Sequence, residues 1–389
     1  MEVKQIYEIM NSVTEELLGE SALVKEDLSN IVELGRQFEN VVGLDNYVRK
    51  LPDHVGRVIF VNRKYNSRVP SVLMDGWEYG SICEKIAARI PEAVENEDWL
   101  LQDGTSYDPN VFHAPDVFGS FWNKRITFDI DMSITEDQVK SSFSSVTQLN
   151  GFLSMILNAI ETSLSIKLDS LIMRTINNMI GETLYAEVPG GTYTGRTGAK
   201  AVNLLYLYNK AMYGDDTSQY LTAAAAIHTP EFIRYASMTM ANYMDRLKVA
   251  SNLFNIGGET RFTSDDLLHV VMLSEFKNAA GSYLQSDVFH NEYTALPEAE
   301  SVVYWQGSGT GYGFSDTSQI KITTASGHDV TASGILAVMF DRDALGVCNQ
   351  ERKVNTHYNE KASFWNYFYK QFAGYFNDTN ENFVVFYVA

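Results

Sequence analysis

The chain has 389 residues, 45% hydrophobic and 20% charged, an ordinary globular composition that excludes a disordered chain. With 30 Lys and Arg against 49 Asp and Glu the net charge is −19, and no window clusters cations as phosphate binding requires, which excludes a direct nucleic-acid binder. The two cysteines, Cys83 and Cys348, form neither a zinc spacing nor a disulfide framework, and no apolar run reaches the roughly 18 residues of a membrane span.

At roughly 150 residues per domain, two or three domains are expected. The cysteine usage fits a reducing cytosol, and the absence of a charged-then-apolar leader points to a soluble, cytoplasmic product. Aromatic content is high, with 22 Tyr and 21 Phe against 8 Pro.

In chain order, residues 1–45 read as helical and acidic, with Ile6, Ile9, Met10, Val13, Leu17 and Leu18 at helical spacing. Val58–Val61 and Val69–Met74 read as short strands. Ile82–Ile90 reads as a helix ended by Pro91, followed by an acidic stretch through Pro115 that is too long for a plain connection. Ile126, Phe128, Ile130, Met132 and Ile134 alternate with Thr127, Asp129, Asp131 and Ser133, the signature of a strand with one wet face. From Leu149 to Met179 apolar residues step by three and four for about thirty residues, with Gly181 as the expected stop. Such a helix is about 45 Å long. It lacks a strict heptad seam, so it is expected to lie across a sheet rather than in a coiled coil.

Gly190–Gly198 reads as an exposed turn region. Helical signals follow at Val202–Tyr213, at Tyr220–Ile227 and from Thr229-Pro230-Glu231 to about Leu253. The remainder to Ser333 reads as short strands and Gly- and Ser-rich loops. Gly334–Phe340, Phe364–Phe376 and Phe383–Val388 read as strands, the first apolar throughout and the second crowded with aromatics.

Chemistry is sparse. HExxH, GxSxG and GxxxxGK[ST] are all missing, and Gly307, Gly309, Gly311 and Gly313 do not have dinucleotide spacing. Asp129/Asp131 and Asp341/Asp343 have a spacing that can hold a divalent cation, but Asp129 and Asp131 fall on the polar face of an amphipathic strand, where solvated carboxylates are expected. His113, His290 and His328 stand singly. Asn377-Asp378-Thr379 matches a glycosylation sequon, which has no meaning without a leader. The aromatic run Phe364, Trp365, Tyr367, Phe368, Tyr369, Phe372, Tyr375 and Phe376 reads as sheet core or subunit interface, with a carbohydrate platform as the alternative. No catalytic residue, metal or cofactor is expected.

The order of these parts resembles the major capsid protein of tailed bacteriophages, the Hong Kong ninety-seven fold. It is most similar to the phi-twenty-nine-like group of small short-tailed phages of Gram-positive hosts. The resemblance lies in Gly76-Trp77-Glu78-Tyr79 through Ile82–Ile86 as an outgoing loop strand, and in Phe121–Phe143 as the return. It continues in Phe152 to Ile160 as the start of a spine helix, and in Phe364 to Tyr369 followed by Asn382–Val388 as the close.

The resemblance implies an α+β chain divided into a 1–55 N-terminal arm, a 56–135 extended loop with flanking strands, a 136–198 peripheral domain with the spine helix, a 199–345 axial domain and 346–389 closing strands. It implies a structural subunit that assembles into pentamers and hexamers of an icosahedral head in the host cytoplasm, enclosing DNA without specific binding. The partners implied are portal and minor head proteins, and a separate scaffolding protein or none. Trp77, Trp99, Leu100, Leu101, Phe112 and Trp122 are the expected subunit-interface residues. Two other functions compete: an encapsulin-like compartment shell, and a carbohydrate-active enzyme or adhesin using Trp365 and Tyr367 with Asp341/Asp343.

Overall fold

Alternation decides the first sheet. β4 (Arg125–Thr135) carries apolar residues on one face and exposed polar ones on the other along its whole length, with Asp129 and Asp131 wet as expected. It pairs antiparallel with β12 (Phe364–Asn377), which pairs with β11 (Leu345–Asn359), and β1 (Leu73–Met74) adds parallel to β11. The computed structural model describes 112–389 except 143, 145, 189–192, 287–298 and 307–312; before these it describes 69–74, 83–91 and the positions 7, 11, 13–15, 30, 33, 103, 104, 106 and 110.

Continuous apolar runs make the second sheet. β10 (Ile335–Asp341) and β13 (Phe383–Tyr387) are buried at every residue, as central strands covered on both faces must be. The order is β5-β13-β10-β6-β7, with β5 (Ala201–Asn203), β6 (Leu268–Leu273) and β7 (Glu300–Val302). Two hairpins stand apart from both sheets: β2 (Cys83–Ala88) with β3 (Val117–Trp122), and β8 (Ile320–Thr323) with β9 (Asp329–Ala332).

A short helix α1 (Glu136–Ser142) leads from β4 into α2 (Val146–Glu187), 42 residues and about 63 Å long. Phe152, Ile156, Ile160, Leu164 and Leu168 bury one stripe of its first half. Its second half is buried more broadly, at Leu171, Ile172, Thr175, Ile176, Met179, Ile180, Thr183 and Leu184. The helix packs on β4, β11 and β12 of one sheet, lying across it as the sequence reading expects, and it also packs on β5 and β13 of the other, so it joins the two. Further on lie α3 (Leu204–Tyr213), α4 (Ala223–Ala226), α5 (Pro230–Leu247), α6 (Ser274–Ser286) and α7 (Phe314–Thr317).

Several local expectations are corrected. Gly181 does not stop α2, which runs six residues further to Glu187. A Cβ at Gly181 would lie 3.2 Å from both Cβ and Cγ2 of Ile322, so the glycine serves the close approach of β8 and not a cap. Gly181→Leu is therefore expected to lower stability by about 1–3 kcal/mol through overpacking, read as a drop in melting temperature with secondary structure retained.

Val202–Tyr213 divides into β5 and α3, because Asn203 caps the helix by accepting from the Tyr206 amide at 3.1 Å. α4 covers only four residues of the Tyr220–Ile227 signal. α5 ends at Leu247, not near Leu253, where the Leu247 carbonyl takes the Thr263 amide (2.8 Å) and the chain turns back through a Ser251–Arg261 bridge. Val69–Met74 is strand only at Leu73–Met74, after a 3-10 turn at Pro70–Val72. Within the Ile82–Ile90 reading, Cys83–Ala88 is strand, not helix, since it pairs with Val117–Trp122. Among 1–45, positions 7, 11, 13–15 and 33 are helical and the other readings there lie outside the described residues, as does Val58–Val61.

In β12, Trp365, Tyr367 and Tyr369 are buried, while Phe364, Phe368 and Phe372 are half-buried on the opposite face. Trp365 and Tyr367 are 2% and 1% exposed, so neither ring can stack on a sugar. Asp341 is buried and accepts the Asp343 amide at 2.9 Å in a tight turn. Trp365 and Tyr367 with Asp341/Asp343 therefore do not form the expected carbohydrate platform.

Candidate subunit interface

The β2–β3 hairpin starts the long connection that the sequence leaves unexplained. Its antiparallel register sets Lys85 opposite Ser120, Ile86 opposite Gly119, Ala87 opposite Phe118 and Ala88 opposite Val117. Strand alternation then divides the residues between two faces. Lys85, Ala87, Phe118, Ser120 and Trp122 are half-buried against the subunit, whereas Ile86, Ala88, Val117, Gly119 and Phe121 are exposed.

The inner face is anchored by rings and charges. The Trp122 indole donates to the Asn377 carbonyl at 3.2 Å and packs on Phe376, ring centres 5.1 Å apart. The guanidinium carbons of Arg89 and Arg261 lie 5.8 and 5.6 Å from the Phe118 ring centre, within cation–π range. Arg89 also pairs with Asp116 at 2.8 Å and Glu259 at 3.0 Å on the exposed rim.

Deeper, the Lys85 ammonium lies 2.6 Å from Glu381 and 3.2 Å from Asp378, and Arg261 approaches Glu381 at 3.3 Å. Burial opposes the Lys85 charge, but its bonds to Glu381 and Asp378 outweigh that and lift its pKa above the ordinary value. Burial pushes the Glu381 carboxyl up, against the pull of Lys85 and Arg261, and burial likewise raises neighbouring Asp341. These residues bring β2, the 259–261 loop and the 378–381 turn together. Among the described residues no cluster of His, Cys, Asp and Glu could hold a metal ion, and no helix is long and apolar enough to cross a membrane.

The outer face is apolar and bare. Ile86 is 67% exposed, Phe121 65% and Val117 52%. A Cβ at Gly119 would lie 3.2 Å from the Phe121 ring, so the glycine leaves room for that ring to lie over the strand beside Ile86. Phe112, further along the connection, is 85% exposed.

Of the six residues singled out from sequence, Phe112 is free on the surface and Trp122 is turned into its own subunit. Trp77, Trp99, Leu100 and Leu101 lie outside the described residues. Sequence reasoning missed Lys85, Arg89, Arg261, Asp378 and Glu381, because their partners are up to 296 positions away. The one available signal was the acid pair in the Asn377–Asn382 turn. The sequon there is a structural element: the Asn377 side chain donates to the Thr175 carbonyl at 2.8 Å and Asp378 is buried.

Residues 10–387 match the family model described as Phi29-like phage major capsid protein. No curated protein is a significant match to the chain. Among solved structures, the chain is similar to the capsid of Staphylococcus phage Andhra at 10% identity, covering 82% of this chain and 83% of that one with a TM-score of 0.44. It is similar to the capsid of cyanophage P-SCSP1u at 10% identity, covering 82% and 86%, TM-score 0.47. The asymmetric unit of the bacteriophage PhiM1 mature capsid aligns at 9% identity over 84% and 89%, TM-score 0.40. The family match over nearly the whole chain, on a mixed fold in which one long helix joins two sheets, establishes that the protein belongs to the Phi29-like phage major capsid proteins.

Proposed function

We propose that this major capsid protein builds its shell from pentamers and hexamers in which the outer hairpin face and the connection beyond it lie on a neighbouring subunit. The observation that carries the reading is the contiguous exposure of Ile86, Val117 and Phe121, with Phe112 further along. A soluble chain does not leave such large apolar groups bare at one end of a projecting hairpin unless a partner covers them. In this arrangement the apolar groups act as anchors, joined by Trp99, Leu100 and Leu101 of the same connection, and its many acids form the polar rim.

The same reading divides the chain into an arm (1–55), a loop region (56–135), a peripheral part with α2 (136–198), an axial part (199–345) and closing strands (346–389). Those closing strands serve both sheets, since β12 pairs with both β11 and β4 while β13 enters the five-stranded sheet. Assembly takes place in the host cytoplasm, with a separate scaffolding protein or none, and with portal and minor head proteins completing the head. The packaged DNA is enclosed by an acidic wall rather than bound by a site, consistent with a net charge of −19. Of the competing functions, the family match favours a phage head over an encapsulin-like shell.

Sedimentation and negative-stain microscopy of the purified chain test this. Capsomers or closed shells are expected at micromolar concentration. A 43.8 kDa monomer alone, with scaffolding protein also supplied, would refute the proposal.

A further inference from the structure

The hairpin is joined to its own subunit by buried charge and by two rings, Phe118 under Arg261 and Trp122 on Phe376 and the Asn377 carbonyl. Among the described residues, β2 and β3 pair only with each other, and neither shares a backbone ladder with the four- or five-stranded sheet. Their apolar contribution to the inner face is Ala87, Phe118 and Trp122, all half-buried. At the centre is a socket in which the side chains of Asp378 and Glu381 are 3% and 10% exposed. One cation of that socket, Arg261, comes from the body of the subunit; the other, Lys85, is delivered by the hairpin. Both converge on the same oxygen, Oε1 of Glu381, at 3.3 and 2.6 Å.

We propose that Lys85 and the Asp378/Glu381 socket form a detachable latch, which fixes the direction in which the hairpin projects and opens without unfolding either sheet. Two features of the geometry support opening. The hairpin takes its whole ladder with it, because no ladder bond crosses to a sheet. Arg261 stays behind when Lys85 leaves, so the socket carboxylates are not stripped of every cation. At the rim, Arg89 also grips Glu259 through Nε and Nη2 at 3.0–3.2 Å, with the Glu259 side chain 16% exposed, so opening parts this pair as well, whereas Asp116 lies on the hairpin segment and moves with Arg89. The inference stands on contacts within one subunit and does not depend on the proposed neighbour contact.

Hydrogen exchange on the full chain, followed by mass spectrometry before any assembly step, tests it. A two-stranded hairpin without support is marginal in water, so release shows as loss of protection. In Lys85→Met, peptides covering 83–88 and 117–122 are expected to exchange about ten- to a hundredfold faster, the range of a lost charged hydrogen bond. The peptide covering 335–341 should be unchanged. Lys85→Arg, which keeps the charge, should exchange like the parent, and Lys85→Glu combined with Glu381→Lys should recover protection relative to Lys85→Met. Unchanged hairpin exchange in Lys85→Met overturns the latch. So does equal acceleration of 335–341, or failure of Lys85→Met to fold, because the lysine would then belong to the general core.

Discussion

Leu168→Asp is expected to leave no soluble folded chain, while Asp129→Asn melts at the parent temperature. Leu168 is fully buried in the stripe of α2 that continues from Ile156, Ile160 and Leu164. Truncating such a leucine costs about 2–5 kcal/mol, and an unpaired carboxylate in its place adds several more. Against a total stability of roughly 5–15 kcal/mol, that sum is enough to unfold the subunit. Asp129 lies on the exposed face of β4, so losing its charge changes little beyond a screened contact with solvent. Soluble yield and thermal melts by circular dichroism read both outcomes. Equal behaviour of the two variants would mean that the burial of α2 against the sheets is misassigned.

The second large effect concerns the connection itself. Replacing residues 92–114 with a short Gly-Ser turn should leave a folded, soluble subunit that builds no shells. The hairpin register tells where to cut: Arg89 and Asp116 form an ion pair, and the Arg89 amide bonds the Asp116 carbonyl at 2.9 Å, so both must stay. A cut at 88–118 would take Ala88 from β2 and Val117 and Phe118 from β3, removing Arg89 itself and the inner-face ring beneath Arg261. Shortening a loop between strands that already pair carries only a small change in closure entropy. Circular dichroism and electron microscopy of the same preparation separate the outcomes. An unfolded product would place 92–114 in the subunit's own core, and normal shells would remove it from the interface.

How far the sequence could be read depended on the range of the interactions involved. β4, β10 and β13 were legible because alternation or an unbroken apolar run is a local record of which faces are covered. The spine helix was legible for the same reason, but its end was not: Gly181 looks like a stop until Ile322, 141 positions later, is seen resting on it. The local pattern of β2 reads as helix because Cys-Glu-Lys-Ile-Ala-Ala is rich in helix formers, although the family resemblance places a loop strand at Ile82–Ile86, and pairing with β3 overrides the helical preference. α6 was hidden within a stretch that reads as strands and loops, and it shows only once Phe276 and Ala280 are seen buried on one side. The latch was out of reach, since nothing near Lys85 announces carboxylates at Asp378 and Glu381.

The order of strands in the second sheet also has a consequence for biosynthesis. β13, the latest strand in chain order, lies between β5 and β10 and completes both of their ladders. While a ribosome is still making the chain, β5 and β10 therefore wait with open, apolar edges, the kind of edge that invites pairing with the wrong chain. Nascent subunits cannot finish this sheet early, so translation itself delays the moment at which a subunit becomes competent to join others. A chain released before Phe383 would hold that vulnerable state indefinitely, which makes truncated products candidates for chaperone capture or aggregation rather than for incorporation into a shell.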